Sequence, residues 1–233
     1  MAIEIGALVK RFGPLKALNG LELVVPDGAF LVLYGPNGAG KTTLLKIVAG
    51  LTKPTSGAVR LSGDDLIAHP ERLRGRIGFL THSSYLYGEL SAEENLRLYA
   101  ELHGLDQPEA RVAEVLEEVG LTDRARDRVS TYSRGMVQRA SIARALIHRP
   151  NVLLLDEPFS GLDPEAADHL HGLLVGLRDG TRSMILVTHD IARGLALADQ
   201  VAIQCRGRIV WQAARDGLTA DALTETYRRA VTA

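Results

Sequence analysis

The stretch FLVLYGPNGAGKTTLL, Phe30 to Leu45, restricts the fold of this 233-residue chain more than any other. An apolar run enters a glycine-rich loop, the loop opens a helical pattern, and the whole fits G-x-x-x-x-G-K-[ST]. Gly35, Gly38 and Gly40 let the backbone curl so that amide N–H groups converge on phosphate oxygens, with Pro36, Asn37 and Ala39 completing the cradle. Lys41 adds a point charge for the outer phosphates, Thr42 offers a hydroxyl to Mg²⁺, and Thr43 is a further ATP contact. With strand, loop and helix in register, the stretch predicts a nucleoside-triphosphate site on an α/β sheet.

The surrounding pattern agrees. Apolar runs recur at 21–25, 29–35, 58–63, 76–82, 151–157 and 183–189, several continuous enough for strands buried on both faces of a mainly parallel sheet. QVAIQCRGRIVWQ (200–212) predicts a hairpin turning at Arg206-Gly207. From Ser91 to Arg149 the pattern is helical: Ser91 and Glu94 form a capping box, Pro108 sits in a first turn, and Gly104 and Gly120 are stops. The expected organisation is one domain, with residues 1–82 and 151–233 as a catalytic core carrying an antiparallel β portion, and 83–150 as an inserted all-helical subdomain.

Two more strand ends carry chemistry. NVLLLDEP places Asp156 at the carboxyl edge of the sheet, where a Mg²⁺ partner is needed, and Glu157 next to it as a candidate general base for water. ILVTHD ends at His189, whose imidazole would donate to a terminal phosphate oxygen, with Asp190 as N-cap of the next helix. STYSRGMVQRASIARAL (130–146) reads as a polar turn opening a basic amphipathic helix, a second phosphate-facing helix start. The net charge of -1 gives no whole-chain reason to expect nucleic acid. One cysteine, Cys205, fits a reducing compartment, and no run approaches the ~18 apolar residues that span a bilayer. MAIEIGALVKRFG lacks a signal peptide's apolar segment, so a cytosolic protein is expected, with any membrane role through a partner.

Taken together, GPNGAGKTT, LLLDEP, SGLD, THD and YSRGM resemble the motif set of the ATP-binding subunits of ATP-binding-cassette (ABC) transporters, over nearly the whole chain. The resemblance implies a P-loop NTPase (RecA-like) core, ATP and Mg²⁺ as ligands, and integral membrane permeases as partners. It implies that Phe12 stacks on adenine and that two copies pack head to tail. Ser133 and Gly135 of one copy would then close over the nucleotide of the other, with Asp163 in the dimer-contact loop. It places His82 where the family commonly has glutamine, as an ATP and Mg²⁺ contact, and Arg134 and Met136 where it commonly has glycine and glutamine.

H-x-x-x-L-Y-x-E-L-x-A-x-E-N-L-x-x-Y (82–99), with YSRGM, is similar to the ATP-binding subunit of the cytochrome c maturation haem exporter. Tyr85, Leu86 and Tyr87 form either a docking surface for a membrane subunit or packing between core and helical subdomain. The alternatives are another exporter's ATPase, an ABC ATPase acting on DNA or ribosomes, and a soluble phosphotransferase. The second would need coiled coils, a second cassette or a basic balance, and the third leaves YSRGM and SGLD unexplained.

Overall fold

The computed structural model describes residues 1–232. Its strands are β1 (Ile3–Phe12), β2 (Leu15–Val25), β3 (Phe30–Tyr34), β4 (Ser56–Leu61), β5 (Asp64–Asp65), β6 (Ile77–Leu80), β7 (Val152–Asp156), β8 (Ser183–Val187), β9 (Gln200–Cys205) and β10 (Arg208–Ala214). Its helices are α1 (Lys41–Val48), α2 (Pro70–Leu73), α3 (Ala92–Leu102), α4 (Pro108–Glu118), α5 (Arg134–Leu146), α6 (Pro164–Gly176), α7 (Ile191–Leu197) and α8 (Ala220–Thr232).

Among the described residues, a six-stranded sheet runs β10-β9-β3-β8-β7-β6, parallel except for the β9–β10 hairpin. Every residue of β3, β7 and β8 is buried, which is why these strands read as unbroken apolar runs. Alternate side chains feed two cores: Phe30, Val32, Leu153 and Leu155 face α3 to α8, while Leu31, Leu33, Val152 and Leu154 face α1 and the second sheet. That second, antiparallel sheet is ordered β2-β1-β4-β5.

The antiparallel part is larger than the sequence predicts. No strand was expected before residue 21, yet β1 begins at Ile3 and β2 reaches back to Leu15. The inward residues of β1 are Ile3, Ile5 and then Leu8, because a bulge at Gly6–Ala7, with Ala7 at φ 46°, shifts the alternation by one. A period-2 search loses such a strand. The short elements β5 and α2 also went unread.

Helices α3, α4 and α5 lie between β6 and β7. Ser91 accepts from Glu94 N while Glu94 closes the capping box, and Gly104 and Gly120 end their helices at positive φ. The insertion shares its core with the sheet: Leu96, Val115 and Ile142 belong to the same apolar cluster as Phe30 and Leu153. Two arginines of the basic helix α5 are used internally. Arg144 donates to Phe79 O (2.9 Å) and Ser84 O (3.1 Å), pinning α5 to the end of β6. Arg139 donates to Val119 O (3.1 Å) and Gly120 O (2.8 Å), satisfying carbonyls at the end of α4.

Candidate active site

The glycine-rich loop owes its shape to the strand beside it. Gly207, in the β9–β10 turn, donates to Ala39 O at 3.0 Å, and the fully buried Gln204 adds a side-chain bond to the same oxygen at 2.9 Å. Gly35 and Gly40 are required by crowding: a Cβ on Gly35 would lie 2.2 Å from Gln204 O, and one on Gly40 would lie 2.4 Å from Ala17 O. Gly40 also holds φ 100°, a conformation side chains oppose. The loop is thus clamped from both flanks, which pre-sets its amides for an anion.

Lys41 is almost buried, and its ammonium donates to Gly35 O (2.6 Å) and Pro36 O (3.0 Å), folding back across the loop. Burial lowers its pKa, with Glu157 and Asp156 pulling the other way. Asp156 ends β7 with its side chain buried, and its Oδ1 has no hydrogen-bond partner. An unpaired buried carboxylate oxygen is costly unless a cation completes it. With the Thr42 hydroxyl lining the same cavity, this oxygen donor set suits a hard divalent ion such as Mg²⁺.

Glu157 sits at φ 53°, where an L side chain costs about 1 kcal/mol, held there by its N–H donating to Val187 O at 2.9 Å. The left-handed turn separates its carboxylate from the strand's alternation and puts it in the cavity. His189 Nε2 lies 2.9 Å from Glu157 Oε1, off the direction of a hydrogen bond, so this buried oxygen too has no donor. Desolvation raises the Glu157 pKa, opposed by the His189 and Lys41 charges. A carboxylate raised in this way is a stronger proton acceptor than an exposed one.

These groups share one cavity of about 560 Å³. Of the expected residues it gathers Phe12, Asn37, Gly38, Ala39, Gly40, Lys41, Thr42, Thr43, Asp156, Glu157 and His189. Phe12 is half exposed at the end of β1, with Lys10 Nζ 4.8 Å from its ring centroid. Gly35 and Pro36 lie behind the loop and serve Lys41 through their carbonyls. His82, Ser133, Gly135 and Asp163 do not line this cavity. His82 is exposed after β6, so Thr42 and Asp156 are the metal-type donors the fold brings together.

Ser133 is the N-cap of α5, accepting from Met136 N at 3.3 Å, and Gly135 packs so closely on α6 that a Cβ would come within 2.8 Å of Ala166 Cβ. Asp163 caps α6, accepting from Ala166 N at 2.8 Å. The cavity also holds Leu15, Lys16, Ala17, Val187 and Arg206, which motif reading missed. The β9–β10 hairpin carrying Arg206 was legible, but its place beside β3 depends on strand order, which no local pattern encodes.

A family model described as ABC transporter matches residues 18–160. The daunorubicin resistance ATP-binding protein DrrA3 of Streptomyces coeruleorubidus is 37% identical over 222 residues, 94% of this chain and 70% of that protein. The spermidine/putrescine import ATP-binding protein PotA of Pseudomonas aeruginosa is 36% identical over 211 residues, 89% of this chain and 58% of that one. Among solved structures, the dimeric post-hydrolysis state of the ATP-binding cassette MJ0796 bound to ADP and Pi superposes with a TM-score of 0.83. It is 26% identical and covers 93% of this chain and 100% of that one.

Proposed function

The chain belongs to the ABC transporter ATP-binding family, and from that premise we propose that it hydrolyses ATP as one of two head-to-tail copies that drive membrane permease subunits. The observation that carries this reading is a cavity uniting the Gly38–Thr43 loop with Asp156, Glu157 and His189 while leaving Ser133 outside it. One copy supplies the phosphate cradle and the proton acceptor. The N-terminus of α5, with Ser133 and Gly135, supplies the lid of the other copy's site. The solved dimer with ADP and Pi supports the pairing by analogy.

Phe12 offers a face for adenine, and the amides of Gly38 to Thr43 take the phosphates. Lys41 exchanges the carbonyls of Gly35 and Pro36 for phosphate oxygens. Thr42 and Asp156 would hold Mg²⁺, which neutralises charge on the β- and γ-phosphoryl oxygens when bound. Glu157 accepts a proton from the attacking water as ADP leaves the γ-phosphorus, and His189 donates to a γ-phosphoryl oxygen. Asp163 reports one site to the other through the dimer-contact loop. His82 would contact Mg²⁺ beside the nucleotide and relay motion toward the permease.

Steady-state ATPase assays test the reading. Turnover should require Mg²⁺ and disappear in Lys41→Ala. Because Glu157 acts ionised and its pKa is raised, activity should fall as pH drops through a value above the ordinary glutamate range. Metal-independent activity, or an acid limb at the ordinary glutamate value, would reject the assignment.

For cargo, we propose export from the cytoplasmic face of a membrane. No helix among the described residues is long and apolar enough to cross one, which suits attachment through permeases. The 82–99 segment and YSRGM favour a haem exporter of cytochrome c maturation. The relative named for daunorubicin resistance favours a drug exporter, and PotA is named for import. Co-purification from native membranes decides: cytochrome-assembly membrane proteins support haem export, and drug-type permeases overturn it.

A further inference from the structure

We propose that Lys16 and Arg206 form a second cationic clamp, outside the glycine-rich loop, for the phosphate nearest the nucleoside. The inference rests on the ATP reading above and adds a specificity-determining pair to it. Both residues line the nucleotide cavity, and both are joined to the loop by their neighbours. Ala17 O lies 2.4 Å from where a Cβ of Gly40 would stand, and Gly207 N donates to Ala39 O at 3.0 Å. Lys16 and Arg206 therefore flank Ala39–Gly40 between Phe12 at the base end and Lys41 at the outer phosphates.

Both cations are exposed at the cavity, and neither is used to hold the fold together. Lys16 stands directly opposite Arg11 in the β1–β2 register, a like-charge cross-strand pair that opposes folding of the hairpin. Among the described residues no carboxylate pairs with Lys16, Arg11 or Arg206. Arg206 holds φ 48° in a two-residue turn with Gly207 at φ 76°, a position that asparagine, aspartate or glycine fills with less strain. The cavity's carboxylates, Asp156 and Glu157, belong to the Lys41 end, where they act on the ammonium. Two exposed cations without carboxylate partners make the other end of the cavity positive and open to an anion. Along a nucleotide stacked on Phe12, the anion at that point is the α-phosphate.

The test is equilibrium binding of adenosine, ADP and ATP to the full chain and to Arg206→Asn, Lys16→Gln, the double variant, Arg206→Lys and Lys41→Ala. Asparagine keeps the left-handed turn, so the hairpin should stand. Each single neutral variant should weaken ADP and ATP about threefold, as for an exposed charge contact, and the double variant about ninefold. Adenosine should bind unchanged, Arg206→Lys should stay near wild type, and the double variant should lose part of the salt dependence of ADP binding. Unchanged ADP affinity in the double variant, or an equal loss for adenosine, overturns the clamp. If instead the wild type fails to bind ATP, or Lys41→Ala binds it as well as wild type, the ATP reading itself fails.

Discussion

Glu157→Gln is expected to cut steady-state ATP turnover by about 10²- to 10⁴-fold while nucleotide still binds. The substitution is isosteric and keeps the N–H bond to Val187 O that fixes the φ 53° turn, so the change falls on chemistry rather than on position. The amide cannot take a proton from water. It also removes a desolvated negative charge next to Asp156 and to the incoming phosphates, so ATP should dissociate more slowly. The protein should then accumulate as an ATP-bound dimer visible by size-exclusion chromatography with light scattering, and remain monomeric with ADP. Turnover within threefold of wild type would remove Glu157 as the proton acceptor.

Much of this site was legible because its parts are contiguous in sequence. Gly35 to Thr43, Leu153 to Glu157 and Leu186 to His189 each join a buried strand to the polar residue that follows it, and a parallel sheet brings such ends to one edge. What was illegible is what depends on non-local pairing. The reach of Gln204 and Gly207 to Ala39 follows from β9 lying beside β3, and Arg206 enters the cavity for the same reason. The Gly6–Ala7 bulge hid β1, although that strand delivers Phe12. The left-handed Glu157 is dictated by its bond to β8, and nothing in the residues LLLDEP announces it. Arg139 and Arg144 misled in the opposite sense: their spacing marks a basic helix, but both charges are spent on carbonyls of neighbouring segments. His82 is exposed after β6 and outside the cavity, so its part in the site rests on the motif alone.

The split between cradle and lid makes a sharper demand than either half alone. Lys41→Ala removes a cation that the cradle needs, and Ser133→Arg puts a long side chain where the lid must approach a phosphate, at the exposed N-cap of α5. Each homogeneous protein should lose about 10²-fold or more of its ATPase activity, as expected when a positioned transition-state contact is removed. Mixing the two should restore part of it. In the mixed dimer one site combines both lesions, but the other combines an intact Lys41 from the Ser133→Arg chain with an intact Ser133 from the Lys41→Ala chain. At equal concentrations half of the dimers are mixed and each carries one sound site, so the ceiling is about a quarter of wild-type activity if sites act independently. Recovery well below that ceiling but above either parent would mean that the sites must fire together, the task assigned to Asp163. No recovery at all, with both variants shown to fold, the mixed dimer shown to form and a wild-type/Lys41→Ala mixed dimer shown to be active with its one sound site, would place Ser133 and Lys41 in the same site of one chain and end the head-to-tail arrangement.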